Sequence, residues 1–141
     1  MIIGFEDAFT DIQSEYISLC LEYVNNDVDE VFAYIYQTRS MKMFNAFFKK
    51  DGKILSAGQL GTEEASDEFL EVGRDDISKI VDVCDKYEHK CPNELKLVYN
   101  VKTKKFDAEL GYEDYSEKEK VTPFEVFLNW FRAEKAKCSK S

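Results

Sequence analysis

The sequence predicts an α+β fold: one mainly antiparallel sheet of about five strands with helices packed on it. Segments in which apolar and polar residues alternate, as they do in strands, follow one another in two groups along the chain. Within each group the connections are too short for the crossover that a parallel strand pair needs. A chain of 141 residues, 44% of them hydrophobic and 14% aromatic, is large enough to bury one core. The predicted order is α-β-β-β-α-β-β-α, in a single domain over residues 1–141.

The first helix is predicted from Phe5 to Asn25. Apolar side chains recur there at three- and four-residue steps and form one stripe. Acidic residues crowd the first turns, where negative charge suits the helix dipole, and an Asn-Asn-Asp run ends the helix. Such a stripe is typical of ordinary core packing, and a partner-binding role is the minor alternative. Its members are Phe5, Phe9, Ile12, Tyr16, Leu19, Cys20 and Tyr23.

Three strands should follow the first helix. The segment from Glu30 to Thr38 is apolar on both faces and rich in β-branched and aromatic residues, which favours a central place in the sheet. A second strand from Met41 to Lys50 and a third from Lys53 to Leu60 flank Asp51-Gly52. An Asp-Gly pair accommodates the positive φ angles of a tight hairpin turn, so these two strands should pair.

Helical segments are expected between the third and fourth strands. Residues Thr62 to Gly73 indicate a loop with a short helix over Asp67 to Val72. A firmer helix is predicted from Asp75 to Glu88, where its two leading aspartates can cap free amide groups. Pro92 then directs the chain into an extended path. This long connection also leaves room for one crossover, so a single parallel strand pair is an open alternative.

A second hairpin is predicted over Leu95 to Asp114. Successive side chains of a strand point to opposite faces, so the second strand of this hairpin should have one apolar and one acidic side. By this period alone, the apolar side belongs to the sheet core and the acidic side forms a charged outer wall. The apolar side comprises Phe106, Ala108, Leu110 and Tyr112, and the acidic side comprises Asp107, Glu109 and Glu113.

A last helix should begin near Thr122-Pro123, because threonine is a good cap and proline suits the first helical position. A charged linker, Tyr115 to Lys120, should precede it. The basic tail 135–141 should fray. The expected apolar stripe of this helix is Phe124, Phe127, Leu128 and Phe131.

The formal net charge of −9 limits the classes of partner that this chain is expected to bind. Nucleic acid and anionic membranes need a basic surface, so neither is expected to bind this chain. A basic partner, or merely a solvated acidic surface, fits the charge. Glu6 and Asp7 interrupt any secretory signal, and no stretch approaches the roughly 20 apolar residues that cross a bilayer. We therefore expect a soluble cytoplasmic protein whose four cysteines are reduced.

Few residues in the sequence are suited to catalysis. His89 is the only histidine, so any catalytic triad would have to use it. Cys84 and Cys91 lie near it, but the spacing matches no usual zinc pairing, and we expect no metal. No catalytic residue and no cofactor are predicted. A small cytoplasmic enzyme with acidic active-site residues stays the alternative function, since sequence does not show whether acids converge in a pocket.

Several stretches resemble the YezG-like immunity-protein family. The hairpin from Leu95 to Asp114 ends in Tyr112-Glu113-Asp114 and is followed by Pro123 and Trp130, which is similar to the C-terminal half of that family. The segment from Glu30 to Tyr36 is similar to the aromatic strand that follows its first long helix. The resemblance implies a small antiparallel α+β protein that binds and neutralises a cognate toxin domain. A nuclease is one candidate class of toxin, and the resemblance leaves its identity open.

The acidic side of the second hairpin strand is the surface expected to bind such a partner. It consists of Asp107, Glu109 and Glu113 and continues into Asp114. Many toxins that act on nucleic acid present basic clefts, which an acidic protein can occupy by complementary charge. Inhibition should then be occlusion at one-to-one stoichiometry, without turnover. The alternative is that Lys96, or a lysine of a neighbouring strand, pairs with these acids across the sheet.

Overall fold

The computed structural model describes residues 4–39, 41–113 and 122–139. Five strands and four α-helices within these ranges follow the predicted order, which confirms the α+β class. The strands are β1 (Glu30–Gln37), β2 (Lys42–Lys50), β3 (Lys53–Ser56), β4 (Glu94–Asn100) and β5 (Phe106–Gly111). The helices are α1 (Phe5–Tyr23), α2 (Glu63–Asp75), α3 (Ile77–Lys86) and α4 (Pro123–Ser139), and one 3-10 turn spans Ala57–Gln59.

The strands form one sheet in the order β3-β2-β1-β4-β5, and every neighbouring pair is antiparallel. β1 is therefore central, as its apolar pattern predicted, and each of its residues from Val31 to Gln37 is buried. β4 runs antiparallel to β1. The long connection through α2 and α3 thus does not create the parallel pair that its length had left open.

The pleat of β1 divides the core into two layers, because alternate side chains point to opposite faces of a strand. Val31, Ala33 and Ile35 face the side where α1, α2 and α3 cover the sheet. Phe32 and Tyr34 face the other side, where α4 packs. Helices on both faces explain why this strand is apolar along its whole length.

Aromatic rings hold α4 on the sheet. Trp130 meets Phe47 edge-to-face with 5.0 Å between ring centroids, and Phe131 meets the same ring at 5.3 Å. Phe127 is buried beside Tyr34. Phe124, by contrast, is 51% exposed. The predicted stripe is therefore wrong at its first position, because α4 presents Trp130 to the sheet instead.

Two local predictions are confirmed by backbone geometry and hydrogen bonding. Asp51 and Gly52 have φ angles of 52° and 79°, the positive pair that a tight hairpin turn requires. Thr122 caps α4, since its hydroxyl oxygen accepts a hydrogen bond from the amide of Glu125 at 3.1 Å. α4 continues to Ser139, inside the tail that was expected to fray. The predicted linker 115–120 lies outside the described residues.

The helical region after β3 differs from its prediction. The short helix expected over 67–72 is the middle of α2, which begins earlier because the Thr62 side chain accepts a hydrogen bond from the amide of Ala65. Asp75 ends α2 instead of starting the next helix. Asp76 has helical backbone angles and makes no side-chain capping bond, so the predicted aspartate cap of α3 is wrong.

The third strand is shorter than predicted. β3 ends at Ser56, where the chain enters the 3-10 turn and the Gln59 side chain accepts a hydrogen bond from the Ser56 amide at 2.8 Å. That bond satisfies a backbone donor that would otherwise need a strand partner.

Among the described helices, none has the length and apolarity needed to span a bilayer.

Candidate functional site

The second hairpin combines a buried strand with an edge strand. β4 lies between β1 and β5, and its Leu95 and Leu97 are fully buried. β5 is the outermost strand on its side, so one backbone edge of β5 is unpaired within the described ranges. Asn100 organises the turn between them, because its side-chain oxygen accepts hydrogen bonds from the amides of Lys102 and Thr103, both at 3.0 Å. The hairpin therefore presents β5 at the periphery on a locally fixed turn.

The acidic side chains of β5 lie on the sheet face that carries α4. In the β4–β5 register, Asp107 is opposite Val98 and Glu109 is opposite Lys96. α4 packs mainly over β2 and β3, at the other end of the sheet. Asp107 and Glu109 are therefore exposed. The predicted charged wall exists, and it stands beside α4 at the far edge of the same face.

Lys96, the expected partner of these acids, is directed elsewhere. Its Nζ lies 5.7 Å from the centre of the Trp130 ring, within cation–π range. Although Lys96 and Glu109 are opposite in register, no ion pair joins Lys96 to either acid in the described part of the chain. The alternative of cross-strand neutralisation by Lys96 is therefore not what the structure adopts.

A further acid on this face is engaged inside the sheet. Glu94 is buried, and the Tyr34 hydroxyl donates a hydrogen bond to its Oε2 at 2.6 Å. Burying a polar group is costly unless it is hydrogen-bonded, and this bond offsets the cost of placing the Glu94 side chain inside the sheet. Glu94 thus belongs to the packing of the sheet, whereas Asp107 and Glu109 face solvent.

The two other predicted partner-binding residues lie beyond the strand. β5 ends at Gly111, so Glu113 follows outside the regular strand spacing, although it is exposed. Asp114 lies outside the described residues. Of the four predicted residues, the structure brings Asp107 and Glu109 together on one strand face.

The apolar side of β5 joins the core only at Phe106, which is half-buried and packs against it, so the prediction that the whole side is buried is wrong. Leu110 is 39% exposed and Tyr112 is 41% exposed. α1 packs mainly over β1 and β4, so it covers the outermost strand only near Phe106. Together with Ala108, these side chains line an open groove of about 820 Å³ between β5 and the N-terminal half of α1. We call it the α1–β5 groove.

α1 supplies the opposite wall of the α1–β5 groove. Phe5 stacks on His89 with ring centroids 3.9 Å apart, and on Phe9 at 5.2 Å. Glu6 and Asp7 also line the groove and are exposed. The groove therefore has an aromatic and aliphatic interior with negative charge on the helix side.

Gln13 is a groove residue that sequence reasoning missed. It lies on the buried stripe of α1 and is only 6% exposed. Its side-chain amide has no hydrogen-bond partner among the described residues, and since no buried side-chain nitrogen or oxygen atom there lacks a partner, this amide reaches solvent in the groove. Gln13 therefore places a donor and an acceptor on the wall of the groove. The available signal was a glutamine at a position between Phe9 and Tyr16 where the helical period calls for an apolar side chain.

The Cys84 and Cys91 thiols lie within hydrogen-bond distance of each other, but His89 does not join them in a three-ligand site. Cys84 is buried in α3, and Gln37 donates a hydrogen bond to Cys91 Sγ at 3.3 Å. His89 is exposed and stacked on Phe5. Burial and a hydrogen bond with Cys84 raise the pKa of the Cys91 thiol to about 12, which disfavours the thiolate that binds metals. No group of three metal-ligating side chains comes together in the described ranges, and metal-free protein stays a prediction.

Comparison with known proteins adds no relative to this description. A scan against protein-family models matches no family. A search of curated proteins finds no similar sequence.

Proposed function

We propose that this protein is an immunity protein: a binding module that occludes a cognate toxin domain, with the acidic side of β5 as its contact surface. The observation that carries the proposal is the pair of exposed carboxylates, Asp107 and Glu109, on an edge strand without a cation partner in the described surface. The net charge of −9 supports a basic partner, and the resemblance to the YezG-like family supports a toxin as that partner.

Charge geometry explains why such a surface suits a basic cleft. Side chains two residues apart on a strand stand about 7 Å apart on the same face, so Asp107 and Glu109 repel each other when they are only solvated. Lysine or arginine side chains of a partner relieve that repulsion. Complementary charge of this kind speeds association and rejects partners of the wrong sign.

Occlusion requires no catalysis by the immunity protein. The inhibitor covers the toxin's cleft for as long as the complex lasts, and inhibition follows the fraction of toxin bound. Inhibition by occlusion agrees with the sequence analysis, which predicts no catalytic residue.

Co-purification with its candidate partner tests the proposal. A suitable candidate is the variable C-terminal domain of a large secreted protein, if one is encoded just upstream of this chain. We expect a one-to-one complex by calorimetric titration, and toxin activity that disappears at equivalence. Permanent inactivation of the toxin by a substoichiometric amount would contradict occlusion and favour the enzyme alternative.

A further inference from the structure

We propose that the α1–β5 groove receives an extended segment of the partner, which adds to the sheet as a sixth strand beside β5. The inference rests on the proposed function and specifies how the partner is recognised: a segment in which basic and apolar residues alternate. β5 spans Phe106–Gly111 and has no proline, and its charged side chains, Asp107 and Glu109, repel an acidic strand but attract a basic one. Its outer edge, which is unpaired within the described ranges, therefore offers backbone hydrogen bonds to a basic strand.

The two faces of β5 dictate the chemistry of the added strand. Side chains of neighbouring strands share a face with the residues opposite them. Residues of the segment on the α4 side would meet Asp107 and Glu109, which favours lysine or arginine. Residues on the α1 side would meet Ala108 and Leu110, which favours aliphatic or aromatic side chains. A second copy of this chain fits poorly, because its own β5 would place acids against acids.

The groove supplies space for the apolar side chains of the segment. Its volume of about 820 Å³ lies directly over the exposed side of β5, and Phe9, Pro92 and Leu110 are among its lining residues. Glu6 and Asp7 on α1 add negative charge from the other wall. The groove thus selects an apolar segment with positive charge nearby, consistent with the acidic face of the same strand.

Gln13 supplies a polar contact on the wall of the groove. The residue is 6% exposed and lines the groove, and its amide, which has no hydrogen-bond partner among the described residues, reaches solvent there. A carboxamide offers both a donor and an acceptor, the combination that matches a peptide group of an extended chain. An incoming strand would replace the solvent at this amide with a peptide group.

A synthetic peptide tests the inference without knowledge of the partner. The probe is the fluorescein-labelled, end-capped heptapeptide Lys-Val-Lys-Phe-Lys-Val-Lys, and the measurement is fluorescence anisotropy at low salt. The control peptide has the same composition with its lysines grouped. A second control carries N-methyl groups on alternate amides, which remove the edge hydrogen bonds. We expect each control to bind at least about fivefold more weakly, since either the face pattern or the backbone pairing is lost.

Two protein variants separate strand addition from general charge attraction. Leu110→Ser removes apolar contact from an exposed position, and Gln13→Leu replaces the groove-lining amide with an apolar side chain of similar size. Each should weaken binding of the alternating peptide about three- to tenfold, as expected for one lost contact or hydrogen bond. The thermal midpoint of Gln13→Leu should be unchanged or higher, which excludes unfolding as the cause.

Three outcomes would overturn the inference. The first is equal binding of the alternating and grouped peptides. The second is wild-type affinity of both variants alongside sensitivity to reversal of Asp107 and Glu109, which would leave the acidic-surface proposal standing alone. The third is a dimer of the protein in sedimentation that Leu110→Ser dissociates, because the groove would then belong to a second copy.

Discussion

At the scale of single residues, close packing makes one glycine indispensable. Gly73 is buried in α2, and a Cβ atom at this position would overlap the ring of Phe44. The carbonyl oxygen of Gly73 also accepts a hydrogen bond from the Tyr16 hydroxyl at 2.8 Å, which fixes α2 against α1. The space around the Gly73 backbone is therefore already occupied. In a core packed this closely, one added methyl group forces neighbouring atoms to move.

Gly73→Ala should destabilise the fold, because the Phe44 ring or the α2 backbone must shift to admit the methyl group. We expect the free energy of unfolding to fall by about 1–3 kcal/mol, the usual cost of overpacking. Gly58→Ala is the matched control, since the nearest atom to its added Cβ is the Ser56 hydroxyl at 3.9 Å. Urea unfolding measures both variants, and equal stabilities would show that the α2–β2 contact is loose.

Single residues also show where sequence reasoning ends. The glutamine at position 13 breaks an apolar period, but period alone does not say whether a polar residue on a buried stripe is paired. The exposure of Leu110 depends on how far α1 reaches across the sheet, a property of the packing of two distant elements. Asp107 and Glu109 were found from alternation within their own strand, because a strand's two faces are a local property.

At the scale of elements, the orientation of α4 is the least predictable feature. Positions 124, 127, 128 and 131 form a valid helical stripe, and so do 127, 130, 131 and 134. The two stripes overlap, so the sequence alone does not determine which face of α4 packs on the sheet. The sheet determines it, because Phe32, Tyr34 and Phe47 form an aromatic surface that Trp130 covers. By contrast, the apolar pattern of β1, the Asp51-Gly52 turn and the Thr122 cap are short-range signals, and the structure confirms them.

Paired truncations on α4 test this orientation. Trp130→Ala should reduce the free energy of unfolding by about 3 kcal/mol, because it removes a large ring from the contact with β1 and β2. Phe124→Ala should change it by less than about 0.5 kcal/mol, since that ring is half exposed. Chemical unfolding followed by circular dichroism gives both values. A larger loss in Phe124→Ala would mean that α4 is rotated as the sequence stripe predicted.

At the scale of the whole molecule, buried thiols and a buried phenol link stability to pH. Burial raises the pKa of the Cys20, Cys84 and Cys91 thiols, that of Cys91 to about 12, and burial likewise raises the pKa of the Tyr16 hydroxyl. Above the ordinary pKa of a thiol, the unfolded chain loses these protons while the folded chain keeps them. The unfolded state then binds fewer protons, so stability falls as pH rises.

We therefore expect the free energy of unfolding to be insensitive to these groups at neutral pH and to decline above about pH 9. Cys20→Ala should be less stable than wild type at pH 7, because it leaves a cavity. Above pH 9, the free energy of unfolding of this variant should nevertheless fall less steeply than that of wild type. The difference in slope should be about 1.4 kcal/mol per pH unit, because the variant lacks one proton that is linked to unfolding. Urea titrations at a series of pH values measure both slopes. Parallel slopes would show that the Cys20 thiol ionises as readily in the folded chain as in the unfolded one.

At this scale we also expect the acidic side of β5 to be the surface that binds a basic toxin domain. The direct test is a reversal of both charges, Asp107→Lys with Glu109→Lys. Both side chains are exposed and make no ion pair in the described part of the chain, so the fold should lose less than about 1 kcal/mol. The matched control reverses two exposed acids of α2, Asp67 and Glu71, and so changes the net charge equally.

The measurement is the association rate constant with the co-purified toxin domain, followed by stopped-flow fluorescence at several ionic strengths. We expect the β5 double variant to associate at least about tenfold more slowly than the α2 control at low salt, and the difference to shrink as salt screens the charges. Equal association rates for the two double variants at low salt would contradict the account and remove the β5 edge from the partner-binding surface.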